Sequence, residues 1–85
     1  MILPRVLIHK IAWNGNAGEV WYTDSRGAAD HLQALLGRFG FRFGTPLARG
    51  GALLALPVVK RGCSLTELRD VCRNDPGVEI APRAV

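Results

Sequence analysis

Apolar and polar positions along this chain fall into short runs, each cut off by glycine or proline before it grows long. Val6-Leu7-Ile8-His9-Lys10-Ile11-Ala12-Trp13 is rich in β-branched and aromatic types and stops at Asn14-Gly15-Asn16, a turn signal, so a strand is predicted there. Glu19-Val20-Trp21-Tyr22-Thr23 is a shorter run of the same kind. It either folds back on the first strand through a loop over 14–18 or belongs to a long loop.

Beyond Thr23 the period changes. Ala28, Leu32, Leu35, Leu36 and Phe39 recur at steps of three and four, an apolar stripe on one helical face. Asp24 and Ser25 are its candidate caps, and Gly40, with Gly37 competing, is its stop. Phe41-Arg42-Phe43 returns to period two, which predicts a strand with both rings in the core and Arg42 facing water. After the tight turn Arg49-Gly50-Gly51, residues 52–59 are apolar on both alternating sets, as in a strand covered on both faces. Ser64-Leu65-Thr66-Glu67 forms a capping box for a helix whose apolar face is Leu65, Leu68, Val71 and Cys72. Asp75-Pro76-Gly77 ends that helix, and Val78-Glu79-Ile80-Ala81 makes a last short strand with Pro82 beyond.

No repeat, low-complexity tract or linker interrupts this order, and 85 residues leave room for one core. The expected fold is a single α+β domain over 1–85. It is a ferredoxin-like split βαβ sandwich with an antiparallel sheet of about four strands, a possible extra hairpin strand, and two helices on one face. Two helices leave the second face bare. If Leu7, Ile11, Leu53 and Ala55 point that way, they need a cover: the 19–23 arm with Trp21, a second copy of the chain, or a partner protein. Trp13, Trp21 and Tyr22, together with Leu7 and Leu53, are therefore the candidate partner-binding residues, because aromatic anchors dominate interface energetics.

The same order of elements resembles an RNA recognition motif. Val6-Leu7-Ile8-His9-Lys10-Ile11-Ala12-Trp13-Asn14 is similar to that family's first-strand motif, and Leu32-Gln33-Ala34-Leu35-Leu36-Gly37-Arg38-Phe39-Gly40 to the end of its first helix. Arg49-Gly50-Gly51-Ala52-Leu53-Leu54-Ala55-Leu56 is similar to its third-strand motif. The resemblance implies this fold and an affinity for RNA. It departs from the family at Leu7, Gly51 and Leu53, where the family carries base-stacking rings and this chain has no π-face.

Charge adds a second candidate surface. Eleven basic residues against seven acidic ones leave a net charge of +4, and the basic set is mostly arginine, whose planar fork pairs with phosphates or carboxylates. Lys10, Arg38, Arg42, Arg49, Lys60 and Arg61 are the candidate nucleic-acid-binding residues. Arg42, Arg49, Lys60 and Arg61 fall at strand ends and adjoining turns, where they are expected to lie near one another and hold phosphates.

Enzyme chemistry finds little support. Ser25 and Ser64 sit at helix starts, Asp30 and His31 are sequence neighbours that point about 100° apart on a helix, and no G-x-S-x-G or phosphate-loop pattern occurs. A hydrolase or redox site would require His9 or His31 to meet Cys63 in a cleft. Cys63 and Cys72 do not have metal spacing, so no metal or cofactor is expected, and Cys72 reads as a reduced, buried thiol. No run approaches a membrane span and Met1-Ile2-Leu3-Pro4-Arg5 lacks a signal-peptide layout, which predicts a cytoplasmic protein. The functional expectation is a non-catalytic module that docks on a protein or nucleoprotein partner through an apolar sheet face rimmed by arginine, with a homodimer as a further possibility. Small basic domains of this style also occur among phage-encoded inhibitors of host nucleoprotein machines. The alternative is RNA or single-stranded DNA binding through the basic rim.

Overall fold

Chain reversal at Gly15 organises the first half of the fold. The computed structural model describes residues 6–82, and in it β1 (Val6–Asn14) and β2 (Ala17–Thr23) form a hairpin joined by Gly15-Asn16 alone. Gly15 has φ 68°, as the first central residue of a two-residue hairpin turn requires. The 19–23 run is thus a strand of the sheet, and the loop is tighter than the 14–18 segment expected.

α1 (Ala28–Arg38) follows, and its N-cap is Gly27, with no side-chain cap. Asp24 and Ser25 do not cap it as expected; the Ser25 carbonyl instead accepts the Ala28 amide at 3.0 Å. At the other end Gly40, at φ 86°, lets the Phe41 amide return to the Leu36 carbonyl at 3.0 Å, and Gly37 stays inside the helix. The Phe-Arg-Phe strand is short. β3 (Arg42–Phe43) and β4 (Leu47–Ala48) are separate pieces that both pair with β5 (Leu53–Val59), and Pro46, lacking an amide hydrogen, lies in the break between them. α2 (Leu65–Arg73) opens on Ser64, whose hydroxyl accepts the Glu67 amide at 3.1 Å. The returning half of the capping box is absent, because the Glu67 carboxylate binds Lys60 at 2.6 Å. That link holds the carboxyl below its usual range.

Among the described residues β6 (Val78–Ile80) completes a six-stranded sheet of order β3-β5-β2-β1-β6, with β4 also on β5. The sheet is mixed, not antiparallel with four strands: β6 runs parallel to β1, and every other pairing is antiparallel. The cause is the hairpin. β1 occupies the place beside β2, so the strand that follows α2 lands against β1 and runs with it.

Both helices pack on one face. Val6 and Ile8 from β1, Val20 and Tyr22 from β2, and Leu56 and Val58 from β5 meet Ala28, Leu32 and Leu36 of α1 and Leu68 and Cys72 of α2 in one buried cluster. His31 Nε2 and Asp75 Oδ2, 2.5 Å apart, tie α1 to the turn before β6. The pairing of β1 with β2 shifts between Ile8 and Lys10, and this bulge reverses the facing of everything after it. Ile11 therefore joins the core instead of the bare face where simple alternation placed it. Among the described residues no helix is long and apolar enough to cross a membrane.

Two buried polar groups lead to tests of this core. Tyr22 is fully enclosed, its hydroxyl has no hydrogen-bond partner among the described residues, and burial, then the nearby Asp24 charge, push its pKa up. Tyr22→Phe removes an unsatisfied group without opening a cavity and is expected to raise stability by about 1 kcal/mol in urea denaturation. Cys63 and Cys72 are free, and burial, with a smaller effect of Asp75, pushes the Cys72 thiol up to about 12. A folded-state value above the unfolded one means that the neutral thiol contributes fully below pH about 8.5. Its contribution is lost as pH rises towards 12. Ellman's reagent at mild alkaline pH is expected to reach Cys72 only at the rate of unfolding; rapid labelling of the native protein would contradict this.

Candidate partner-binding face

The sheet face opposite the helices is built from the alternate positions of β1, β2 and β5 and from β4. Trp21 lies at its centre, with Lys10 of β1 and Ala55 of β5 as its partners in register. Leu47 pairs with Ala55 from the far side, so Trp21, Ala55 and Leu47 form an apolar band across three strands. Ala55 is fully buried, whereas Leu47 remains 46% exposed, as does Val59 nearer the end of β5. Leu53 and Thr23 are partners in register at one end of this face. Leu7, like Leu53, is half-buried.

Cations frame the ring. Lys10 Nζ lies 5.0 Å and the Arg49 guanidinium carbon 5.5 Å from the Trp21 ring centroid. Arg49 also donates to Glu19 Oε1 at 2.6 Å, which fixes its fork across the face. Because the bulge turns His9 and Lys10 to the same side, His9 Nε2 meets Thr23 Oγ1 at 2.6 Å beside them. The resulting surface has an apolar centre, a ring held between two positive charges, and one neutralising carboxylate. Exposed Arg42 of β3 adds positive charge at the β5 edge.

The structure divides the residues expected to act together. Trp21, Leu7 and Leu53 share the open face, but Tyr22 is fully buried in the core and presents nothing to a partner. Trp13 also lies on the helix side, where its ring meets Phe41 edge-on at 6.3 Å. The parity change at the bulge separates the two tryptophans. Phe41 is buried as expected, but Phe43 is 39% exposed beside Gly37 of α1.

The basic residues divide as well. Arg49 sits beyond β4, with its amide bonded to the Leu53 carbonyl at the start of β5, whereas Lys60 and Arg61 follow the end of that strand. Seven residues of extended chain put these groups about 20 Å apart, so the expected cluster with Arg42 does not form around Arg49. Lys60 turns to the helix side, 5.0 Å from the Phe41 centroid and bonded to Glu67. Arg38 lines a groove of 680 Å³ between α1 and α2 with Leu35, Phe39, Glu67, Asp70 and Val71. Lys10 and Arg49 flank Trp21 on the open sheet, and Arg42 lies opposite Val59 at its edge.

No His/Cys/Asp/Glu group among the described residues is suited to hold a metal ion. His9 bonds Thr23, His31 bonds Asp75, and Cys63 donates to the Ser64 carbonyl at 3.3 Å, so neither histidine is hydrogen-bonded to that thiol. Burial, with Glu67 beside it, raises the Cys63 pKa, the opposite of what an activated thiolate needs. Comparison with protein-family models, curated proteins and solved structures finds no match.

Proposed function

We propose that this protein is a non-catalytic docking module that uses its open sheet face to grip a protein surface with an apolar centre and an acidic rim. The reading rests on one observation: Trp21 stands in an apolar band between Lys10 and Arg49 on the face that no helix covers. A rigid indole supplies large contact area at little entropic cost, and flanking cations select carboxylates on the partner. Two copies placed face to face would oppose two cationic rims, which favours a foreign partner over a homodimer. Removing the hairpin strand β1 from the strand order leaves β3-β5-β2-β6, the order of a ferredoxin-like sheet, and the docking face is that of such a fold widened by one strand.

Single-stranded RNA or DNA is the second reading, favoured by the same two cations, which can turn from the ring to phosphates while a base stacks on Trp21. One experiment separates them. Immobilised wild-type protein, a Lys10→Glu/Arg49→Glu variant and an Asp70→Ala control on the helix side are exposed to host extract, and retained species are identified. The proposal expects a protein retained by wild type and control and lost from the double variant, with no oligonucleotide binding at low salt. Oligonucleotide affinity that falls steeply with ionic strength would establish the second reading instead, and retention indifferent to the double variant would refute both.

A further inference from the structure

Among the described residues, the outer edge of β6 pairs with no strand. The Gly77 carbonyl accepts from the Val6 amide at 2.9 Å and the Ala81 amide donates to the Ile8 carbonyl at 2.8 Å, so the main-chain groups of 77, 79 and 81 face β1. By alternation the Val78 carbonyl and both main-chain groups of Ile80 face outward. The Val78 amide is already bonded to the Asp75 carbonyl at 3.1 Å.

Beside this edge lies a groove of 360 Å³ lined by Arg69, Arg73, Val78, Ile80, Ala81 and Pro82. Among the described residues no carboxylate lines it and neither arginine forms an ion pair. Arg69 and Arg73 are one helical turn apart on α2, a rise of about 6 Å. Side chains two apart on a strand repeat at about 6.6 Å.

We infer that the β6 edge is a docking site for an extended acidic peptide, which adds as a strand to Val78 and Ile80 and places carboxylates two residues apart on Arg69 and Arg73. Outward amide and carbonyl groups call for a peptide main chain, and two unpaired guanidinium forks at strand spacing call for alternating acids. No two acidic residues stand two apart anywhere in this sequence, so a second copy of the chain does not supply the ligand. The site is separate from the Trp21 face.

The test is fluorescence anisotropy with a labelled short peptide alternating glutamate and valine, compared with its glutamine and lysine counterparts. At low salt the glutamate peptide is expected to bind, and the glutamine peptide to bind about tenfold more weakly. Arg69→Glu/Arg73→Glu is expected to lose the glutamate peptide and accept the lysine one. In unaltered protein the Ile80 amide is expected to exchange more slowly with peptide bound, and Trp21→Ala to leave this binding unchanged. Equal affinity for glutamate and glutamine peptides, no binding, or an Ile80 amide unaffected at saturation would overturn the inference. Loss of peptide binding in Trp21→Ala would assign the ligand to the open face instead.

Discussion

Gly18→Ala is expected to destabilise the protein by about 3 kcal/mol, although it adds a single methyl group. Gly18 pairs with Trp13 across the hairpin and with Val58 of β5, so strand neighbours hold it on both sides. A Cβ at this position would overlap the Ala12 carbonyl oxygen and lie 2.7 Å from Trp13 Cε3. The carbonyl is main chain and cannot turn aside. Relief requires shifting β1 against β2, and the same shift would disturb the facing of Ile11 and Trp13. Urea denaturation gives the magnitude, and Gly50→Ala gives the contrast. Gly50 has open space around it, so that change costs only the strain of φ 92°, about 1 kcal/mol. Equal effects at 18 and 50 would show that close approach between strands is not what requires glycine at 18.

Trp21→Ala is expected to leave the fold intact and weaken partner binding by about 2–4 kcal/mol, roughly thirty- to a thousandfold. The fold survives because Trp21 lies outside the buried cluster that joins the sheet to the helices. Binding suffers because the ring is the largest apolar group on the open face and the platform against which Lys10 and Arg49 are held. Arg49→Ala is expected to act differently. It frees Glu19 as an unpaired carboxylate on the same face, so affinity falls and its dependence on salt becomes shallower. Calorimetric titration of the partner recovered in the retention experiment measures both changes. Undiminished affinity in Trp21→Ala would remove the open face as the docking surface.

Several outcomes set by a few neighbouring residues were legible along the chain, although the Asp24 and Ser25 cap of α1 and the Glu67 half of the capping box were not among them. Asn14-Gly15-Asn16 marked the hairpin turn, Gly40 the end of α1 and Ser64 the start of α2, because a left-handed turn residue or a serine hydroxyl acts on amides only a few positions away. The helical period of 28–36 and the burial of Leu68 and Cys72 were visible for the same reason, whereas Phe39, expected on the same stripe, is the C-cap of α1 and is exposed. The bare apolar face was also legible in part: Leu7, Leu53 and Ala55 lie on it as alternation required, and Trp21 with them.

Alternation puts Ile11 on the open face, and the bulge at Ile8/Lys10, which leaves no mark in residue type, turns it into the core, with the candidate anchor Trp13 on the same side. The parallel pairing of β6 was hidden likewise, since nothing in Val78-Glu79-Ile80 says which strand will be its neighbour. Arg49 and Lys60 look like companions along the chain, yet β5 keeps them at opposite ends, whereas Arg69 and Arg73 became a candidate site only when β6 was laid beside them. Turns and periodicity are energies of nearby residues and can be read in order, whereas a cap also depends on what else its side chain meets, as Glu67 meets Lys60. Register, strand neighbours and the side on which a charge emerges depend on groups far apart in sequence that meet only when the core closes.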